Sequence, residues 1–203
     1  ERPGFYRVGL TVHNGKLADL AWHDVYILHQ SETIGADPAR WSVSTPDRDA
    51  LLRLSADDRQ KLTPSNSIRI ESTAKLAFAD LAVPESGQRT RQVRSLRFWV
   101  KFEHEVRDGF TAANLRVRLM QDEARYYECL PRGARLNWTR LPSEARYGWS
   151  PFEILLDADA QEQADWQVRA VGNPQSDQLR SIRFCFDSIG GKYRIWLDGI
   201  SLA

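Results

Sequence analysis

The chain has 203 residues but only two cysteines, four histidines and a formal net charge of +1. Two cysteines, Cys129 and Cys185, are too few to brace a domain of this size, so stability must come from an apolar core. Both lie in strand-like runs. A single disulfide in an oxidising compartment is one reading, and two unpaired thiols on packed strands is the favoured one. None of His13, His23, His29 and His104 makes an i, i+4 pair with a Glu between, and no Cys/His spacing suits zinc, so a zinc hydrolase site has no support. Basic residues, nearly all Arg, are scattered among acidic ones, which argues against a duplex nucleic acid partner. No apolar run is long enough to cross a bilayer, and no signal-peptide order of charged, apolar and small residues opens the chain. A Gly-x-Ser-x-Gly elbow, a fixed-period repeat and low-complexity segments are also absent. The chain begins at Glu1 rather than Met, which leaves open a removed leader or a piece of a longer protein.

What is present is period-two alternation. Hydrophobic residues make up 42% and charged ones 27%, the balance of a packed globular domain. Residues 1–203 are expected to form a single domain, with 1–30 a candidate N-terminal extension packed on it. In Ser95 to Glu105, Leu96, Phe98, Val100 and Phe102 take one face and Arg97, Trp99, Lys101 and Glu103 the other. Leu115, Val117 and Leu119 alternate with Arg116, Arg118 and Met120, and Tyr126 to Leu130 reads as the returning strand. Ile182, Phe184 and Phe186 alternate with Arg183, Cys185 and Asp187; Ile195 and Leu197 alternate with Arg194, Trp196 and Asp198. Ser188 to Lys192, with its Gly-Gly pair, predicts that these last two strands form a hairpin.

Elsewhere the signals are coarser. Phe5 to Val12 reads as a strand ending at the His13-Asn14-Gly15 turn, and Leu17 to His29 as a strand or short helix, with strand favoured at its Val25 end. Glu32 to Asp49 reads as a long surface connection anchored by Trp41, and Asp49 to Leu62 as a strand leading into a polar loop or a helix. Ser67 to Ser72 and Ala74 to Val83 are expected to pair, and Pro84 to Arg94 reads as a mobile loop. Eight to ten strands with little helix signal predict an all-β fold, an antiparallel β-sandwich.

The stretch from Asp165 onward, ending Trp196-Leu197-Asp198-Gly199-Ile200-Ser201-Leu202, resembles the closing half of jelly-roll carbohydrate-binding modules attached to polysaccharide-active enzymes. Trp41 after a polar loop, the strand SNSIRIES and the strand SLRFWVKFE are compatible with that pattern. The resemblance implies a jelly-roll, galactose-binding-like sandwich and a non-catalytic module that binds a polysaccharide or oligosaccharide. It also implies a secreted or envelope-associated setting and a catalytic domain of a longer parent protein as partner. A structural Ca²⁺ is implied too, with Asp198 as one ligand and Glu32 as a candidate for the second.

The residues nominate a binding face. Trp99, flanked by Arg97 and Lys101 on the outward parity, could stack on a pyranose ring. Arg116, Arg118, Arg183 and Arg194 are also on outward parity, and guanidinium groups pair bidentately with carboxylates, so an acidic polymer such as a uronate would suit such a face. The competing reading is solvated surface, with Trp99 under a loop. Trp138, Tyr147 and Trp149 form a second aromatic cluster, read preferentially as a plug at the end of the sandwich, while Trp22 and Trp166 read as core. Neither Glu103 with Glu105 nor Asp122 with Glu123 makes a glycosidase pair. The enzymatic alternative is a jelly-roll polysaccharide lyase drawing on Arg69, Glu71, His104, Gln121 and Tyr126, although their order departs from the lyase motifs. A structural or interaction sandwich is the third class.

Overall fold

A computed structural model of the chain describes residues 4–13, 15, 18–27, 33–84, 92–104, 113–132, 148–156, 166–188 and 191–203. Two compact units result, Glu1–Gln30 and Ser31–Ala203. The first holds β1 (Gly4–His13) and β2 (Ala18–Ile27), paired antiparallel from Gly4 opposite Ile27 to His13 opposite Ala18. The segment expected to be strand or short helix is therefore strand.

Among the described residues, eleven strands build the second unit. They are β3 (Trp41–Ser44), β4 (Leu52–Asp57), β5 (Ser67–Ser72), β6 (Leu76–Ala82), β7 (Ser95–His104), β8 (Ala113–Met120), β9 (Tyr126–Pro131), β10 (Trp149–Leu155), β11 (Trp166–Val171), β12 (Ser181–Ser188) and β13 (Tyr193–Leu202). One sheet has the order β10-β7-β13-β5-β4 and the other β11-β9-β8-β12-β6-β3, with every pairing antiparallel. No described residue lies in an α-helix. Pro151, which cannot donate to a ladder, sits on the edge strand β10.

Alternation explains the layers. Leu96, Phe98 and Val100 of β7, Ile68 and Ile70 of β5, and Ile195 and Leu197 of β13 are buried from one side. Leu115, Val117 and Leu119 of β8, and Ile182, Phe184 and Phe186 of β12, are buried from the other. Phe98 links the layers: its ring meets Phe184 edge-on at 5.3 Å and Trp166 at 6.4 Å, while Phe152 of its own sheet lies 5.4 Å away. Such pairs add about 0.5–1.5 kcal/mol each beyond the area they bury. Trp41 stacks on Phe184 at 5.8 Å and anchors the connection before it, as expected, but its own segment is the edge strand β3.

Two expected pairings are corrected. The last two strands are not a hairpin: β12 is interior to the six-stranded sheet and β13 to the five-stranded one. Likewise β5 and β6 lie in different sheets. Period-two alternation says which face of a strand is apolar. It says nothing about whether the next strand lies beside it or across the core. Both thiols are free and buried: Cys129 belongs to the core cluster, whereas Cys185 takes the outward parity of the same sheet.

Candidate functional site

The outer face of the five-stranded sheet carries three tryptophans. Trp99, Trp149 and Trp196 point away from the main core, yet they are only 4%, 3% and 3% exposed. The open aromatic platform expected at Trp99 is therefore corrected. The β4–β5 connection, residues 58–66, reaches this face. A β-bulge lies behind the arrangement: between Asp198 and Ser201 the β13 register shifts against β7, and Gly199 takes φ +59° there. A Cβ on Gly199 would lie 3.0 Å from Trp99 Cδ1, so the bare backbone makes room for the indole.

Asp198 pins the connection. It is 5% exposed, and its Oδ2 accepts from the amides of Leu62 (2.6 Å) and Thr63 (3.0 Å), while Oδ1 accepts from Thr63 Oγ1 (2.7 Å) and the Gly199 amide (2.7 Å). A cation there would need free carboxylate lone pairs and further oxygens. Four donors already take those lone pairs, so the arrangement does not fit the Ca²⁺ expected at Asp198. Glu32 lies outside the described residues, and among the described residues no group of three or more His, Cys, Asp or Glu could hold a metal ion.

One lateral row of this face reads Arg69, Trp196, Lys101, Trp149 across four adjacent strands. Trp196 donates its indole N–H to Asp57 Oδ2 (2.8 Å), with Lys101 Nζ 5.2 Å and the Arg69 guanidinium 5.9 Å from its ring centroid. Lys101 donates to Gln60 Oε1 (2.8 Å) and pairs with Glu103 (3.1 Å), and Arg97 pairs with Glu153 (2.7 Å). Burial alone would raise the Asp57 carboxyl, but the Trp196 N–H and the amides of Gln60 and Arg59 outweigh it and hold the group below its usual value.

Of the other nominated arginines, Arg194 is on β13 of the five-stranded sheet, whereas Arg116, Arg118 and Arg183 lie on the outer face of the six-stranded sheet, so the nominated residues do not share one face. Arg97, Trp99 and Lys101 are on one side of the sandwich; Arg116, Arg118 and Arg183 are on the other. Sequence parity cannot assign strands to sheets.

This second face has a row of charges in register across five strands: Arg169 on β11, Glu128 on β9, Arg118 on β8, Arg183 on β12 and Asp80 on β6. Arg118 donates to Glu128 through Nε (3.2 Å) and a terminal nitrogen (2.9 Å), and its guanidinium lies 4.9 Å from the Tyr126 ring centroid. Arg183 forks onto Asp80 (2.7 and 3.1 Å) and onto Glu123 (2.9 and 3.2 Å), and lies 5.7 Å from the Phe78 ring centroid. The Asp80 bonds, followed by those to Glu123, lift Arg183 well above the usual guanidinium range. Phe78 and Tyr126 are half-buried, each with an arginine against its ring. Phe78, Asp80 and Glu128 were not nominated from the sequence. Their signal was parity, since Ala77, Ala79 and Leu81 are core and the residues between them must look out.

Cys185 sits among Arg116, Arg118 and Arg183. Burial pushes its thiol up and the three arginines pull it back without cancelling the rise. The lyase set is divided: Arg69 and Glu71 pair with each other (3.1 Å) on the five-stranded sheet. Tyr126 and Gln121 belong to the six-stranded sheet and its loop, where Gln121 bonds Gln178 and the Gln175 amide. Trp149 is buried and Trp166 is core, while Trp138, Tyr147, the 85–91 part of the expected mobile loop, and the side chains of Trp22 and His104 lie outside what is described.

Neither a protein-family model nor a curated protein matches the sequence. Solved structures match it in fold. An exo-β-agarase is similar with a TM-score of 0.51 and 9% identity over 82% of this chain and 24% of that one. A β-1,2-glucanase from Parabacteroides distasonis has a TM-score of 0.50 and 16% identity over 80% of this chain and 22% of that one. The family 11 carbohydrate-binding module of a Clostridium thermocellum cellulosomal cellulase has a TM-score of 0.47 and 11% identity over 80% and 86%. The chain thus spans about a quarter of the agarase and a fifth of the glucanase. At these identities the likeness shows the fold, a β-sandwich. Carbohydrate-binding modules of the β-sandwich type are among the solved structures that match, at TM-scores of 0.41 and 0.47.

Proposed function

We propose that this chain is a carbohydrate-binding β-sandwich that presents the outer face of its six-stranded sheet to a polysaccharide. The observation that carries the reading is the row Arg169, Glu128, Arg118, Arg183, Asp80, bordered by the half-buried rings of Phe78 and Tyr126. Mutual pairing holds the planar charged groups in place before a ligand arrives, which lowers the cost of ordering them on binding. Carboxylate oxygens and guanidinium N–H groups can then accept from and donate to sugar hydroxyls, while a ring offers its face to sugar C–H groups. The five-stranded sheet is the weaker candidate because its tryptophans are buried.

Two solved chains sharing this fold are a glucanase and an agarase, and in each the matched region is a minor part. That supports an accessory module beside a catalytic domain, in a secreted or envelope-associated protein that acts on polysaccharides. An acidic polymer fits this reading through Arg116 and Arg169, because Arg118 and Arg183 already hold carboxylates of the protein. Catalysis is not favoured, since the lyase candidates described are divided between the sheets.

Affinity electrophoresis against neutral β-glucans, agarose, alginate and pectate tests the reading. The folded protein should be retarded by at least one of them, and Tyr126→Ala should weaken that binding about tenfold or more. Binding to none, or a Tyr126→Ala protein retarded like the wild type, would overturn it. Growth of unsaturated-product absorbance with alginate or pectate would overturn the non-catalytic assignment.

A further inference from the structure

The arginines of the six-stranded face are not equivalent. Arg183 holds two carboxylates in forked geometry, and Arg118 holds Glu128. Arg169, 66% exposed, comes no nearer to that Glu128 than 4.0 Å, beyond hydrogen-bond range, but unlike Arg116 it has no buried nitrogen left without an acceptor. Arg116 makes no hydrogen bond among the described residues. Its nearest carboxylate oxygen, Asp187 Oδ2, is 3.9 Å away, beyond hydrogen-bond range, and its Nε is buried without an acceptor.

The charge is therefore polarised along the face. Around Arg183, one guanidinium meets the two carboxylates of Asp80 and Glu123. Around β8, β9 and β11, three guanidiniums, Arg116, Arg118 and Arg169, share Glu128 and the loosely placed Asp187. Cys185, directly opposite Arg116 in the ladder, adds no negative charge because burial keeps its thiol protonated. The Arg116 side chain is 33% exposed and that of Asp187 is 52% exposed, so their contact is a screened surface pair that an incoming anion can displace.

We infer that Arg116 receives the carboxylate of an acidic polysaccharide, a hexuronate polymer, on the face proposed above to bind carbohydrate. The inference rests on that reading and adds the substrate class. A guanidinium with no hydrogen bond offers a carboxylate the bidentate geometry that Arg118 and Arg183 have already given to protein groups. Phe78 lies in the same lateral row as Arg116, with β12 between them. Two strand spacings put the two positions about 10 Å apart. A sugar stacked on Phe78 would extend its neighbours along the chain toward Arg116.

The test compares wild type, Arg116→Gln and Asp187→Asn by calorimetry against alginate and a neutral β-glucan, after thermal melts show that each variant is folded. Arg116→Gln should weaken alginate binding about tenfold and flatten its salt dependence, with any β-glucan binding kept within about twofold. Asp187→Asn should tighten alginate binding, because it removes the competing carboxylate. An Arg116→Gln protein that binds alginate like the wild type, or loses both polymers equally, overturns the inference. If the wild type binds neither polymer, and agarose and pectate do not retard it either, the sugar-binding reading fails first. An NMR titration of the Arg116 Nε–H with sodium galacturonate against galactose then judges Arg116 alone: a shift with the acid only supports the anion contact, and no shift overturns it.

Discussion

Thr63 donates twice to Asp198, through its amide to Oδ2 at 3.0 Å and through its hydroxyl to Oδ1 at 2.7 Å. With Leu62 and Gly199 adding one bond each, a carboxylate of the last strand fastens the β4–β5 connection about 135 residues away in sequence. Asp198→Asn keeps the shape but turns an acceptor into a donor facing N–H groups. It should cost about 2–4 kcal/mol in urea unfolding. Exhaustive chelation should leave the wild-type melting temperature unchanged; a chelator-induced drop would mean that Asp198 serves a cation instead.

Trp99 is an interior residue on an outward strand position. Trp99→Ala should therefore cost about 3–5 kcal/mol, the range for truncating a buried aromatic. Whatever polysaccharide the folded fraction binds should be bound as before. Loss of binding with stability intact would return the site to the five-stranded sheet.

Gly172 has φ +66°, and a Cβ there would fall 2.1 Å from the carbonyl oxygen of Ala124. Backbone cannot yield as a side-chain tip can. Gly172→Ala should lower stability by about 3 kcal/mol, read from the denaturation midpoint at unchanged slope.

Acid should destabilise the fold through carboxylates held below their ordinary values. Asp57 is lowered against its own burial by Trp196 and two amides, Glu71 by the hydrogen bond from Lys192, and Asp122 by that from Arg125. Each folded value lies below the unfolded one, so the stability they contribute is present above about pH 4 and is lost as pH falls through the folded values. Urea midpoints should be level from pH 7 to pH 5 and drop by pH 3, and Asp57→Asn should shrink that drop. An equal drop in that variant would remove Asp57 from the account.

Both thiols should be silent in the native state. Burial pushes Cys129 far up and raises Cys185 as well, and neither is disulfide-bonded. Ellman's reagent should label neither until urea unfolds the chain, and then two. Rapid native labelling of one would show that the cover over Cys185 opens.

Much of the fold could be read directly from residue order. Leu96, Phe98, Ile182 and Phe184 are inside because an alternating strand with one apolar face has a single way to bury it. The site was less legible. Parity put Trp99 and Trp196 outward correctly, but outward on a strand is not exposed on a protein, and the cover comes from residues distant in the chain. Arg97 and Arg116 share the same local pattern and lie on opposite sides of the sandwich because their strands entered different sheets.

Sequence by itself determined that the domain is all-β, which side chains turn inward on its best strands, and that two cysteines could not make a disulfide framework. Those are consequences of local stereochemistry and composition. Tertiary structure alone decided that β12 and β13 belong to different sheets, that Asp198 bonds the Leu62–Thr63 segment, and that, among the described residues, Arg116 lacks a hydrogen-bonded carboxylate while Arg183 has two. These depend on which distant strands become neighbours, a choice made by the packing of the whole core.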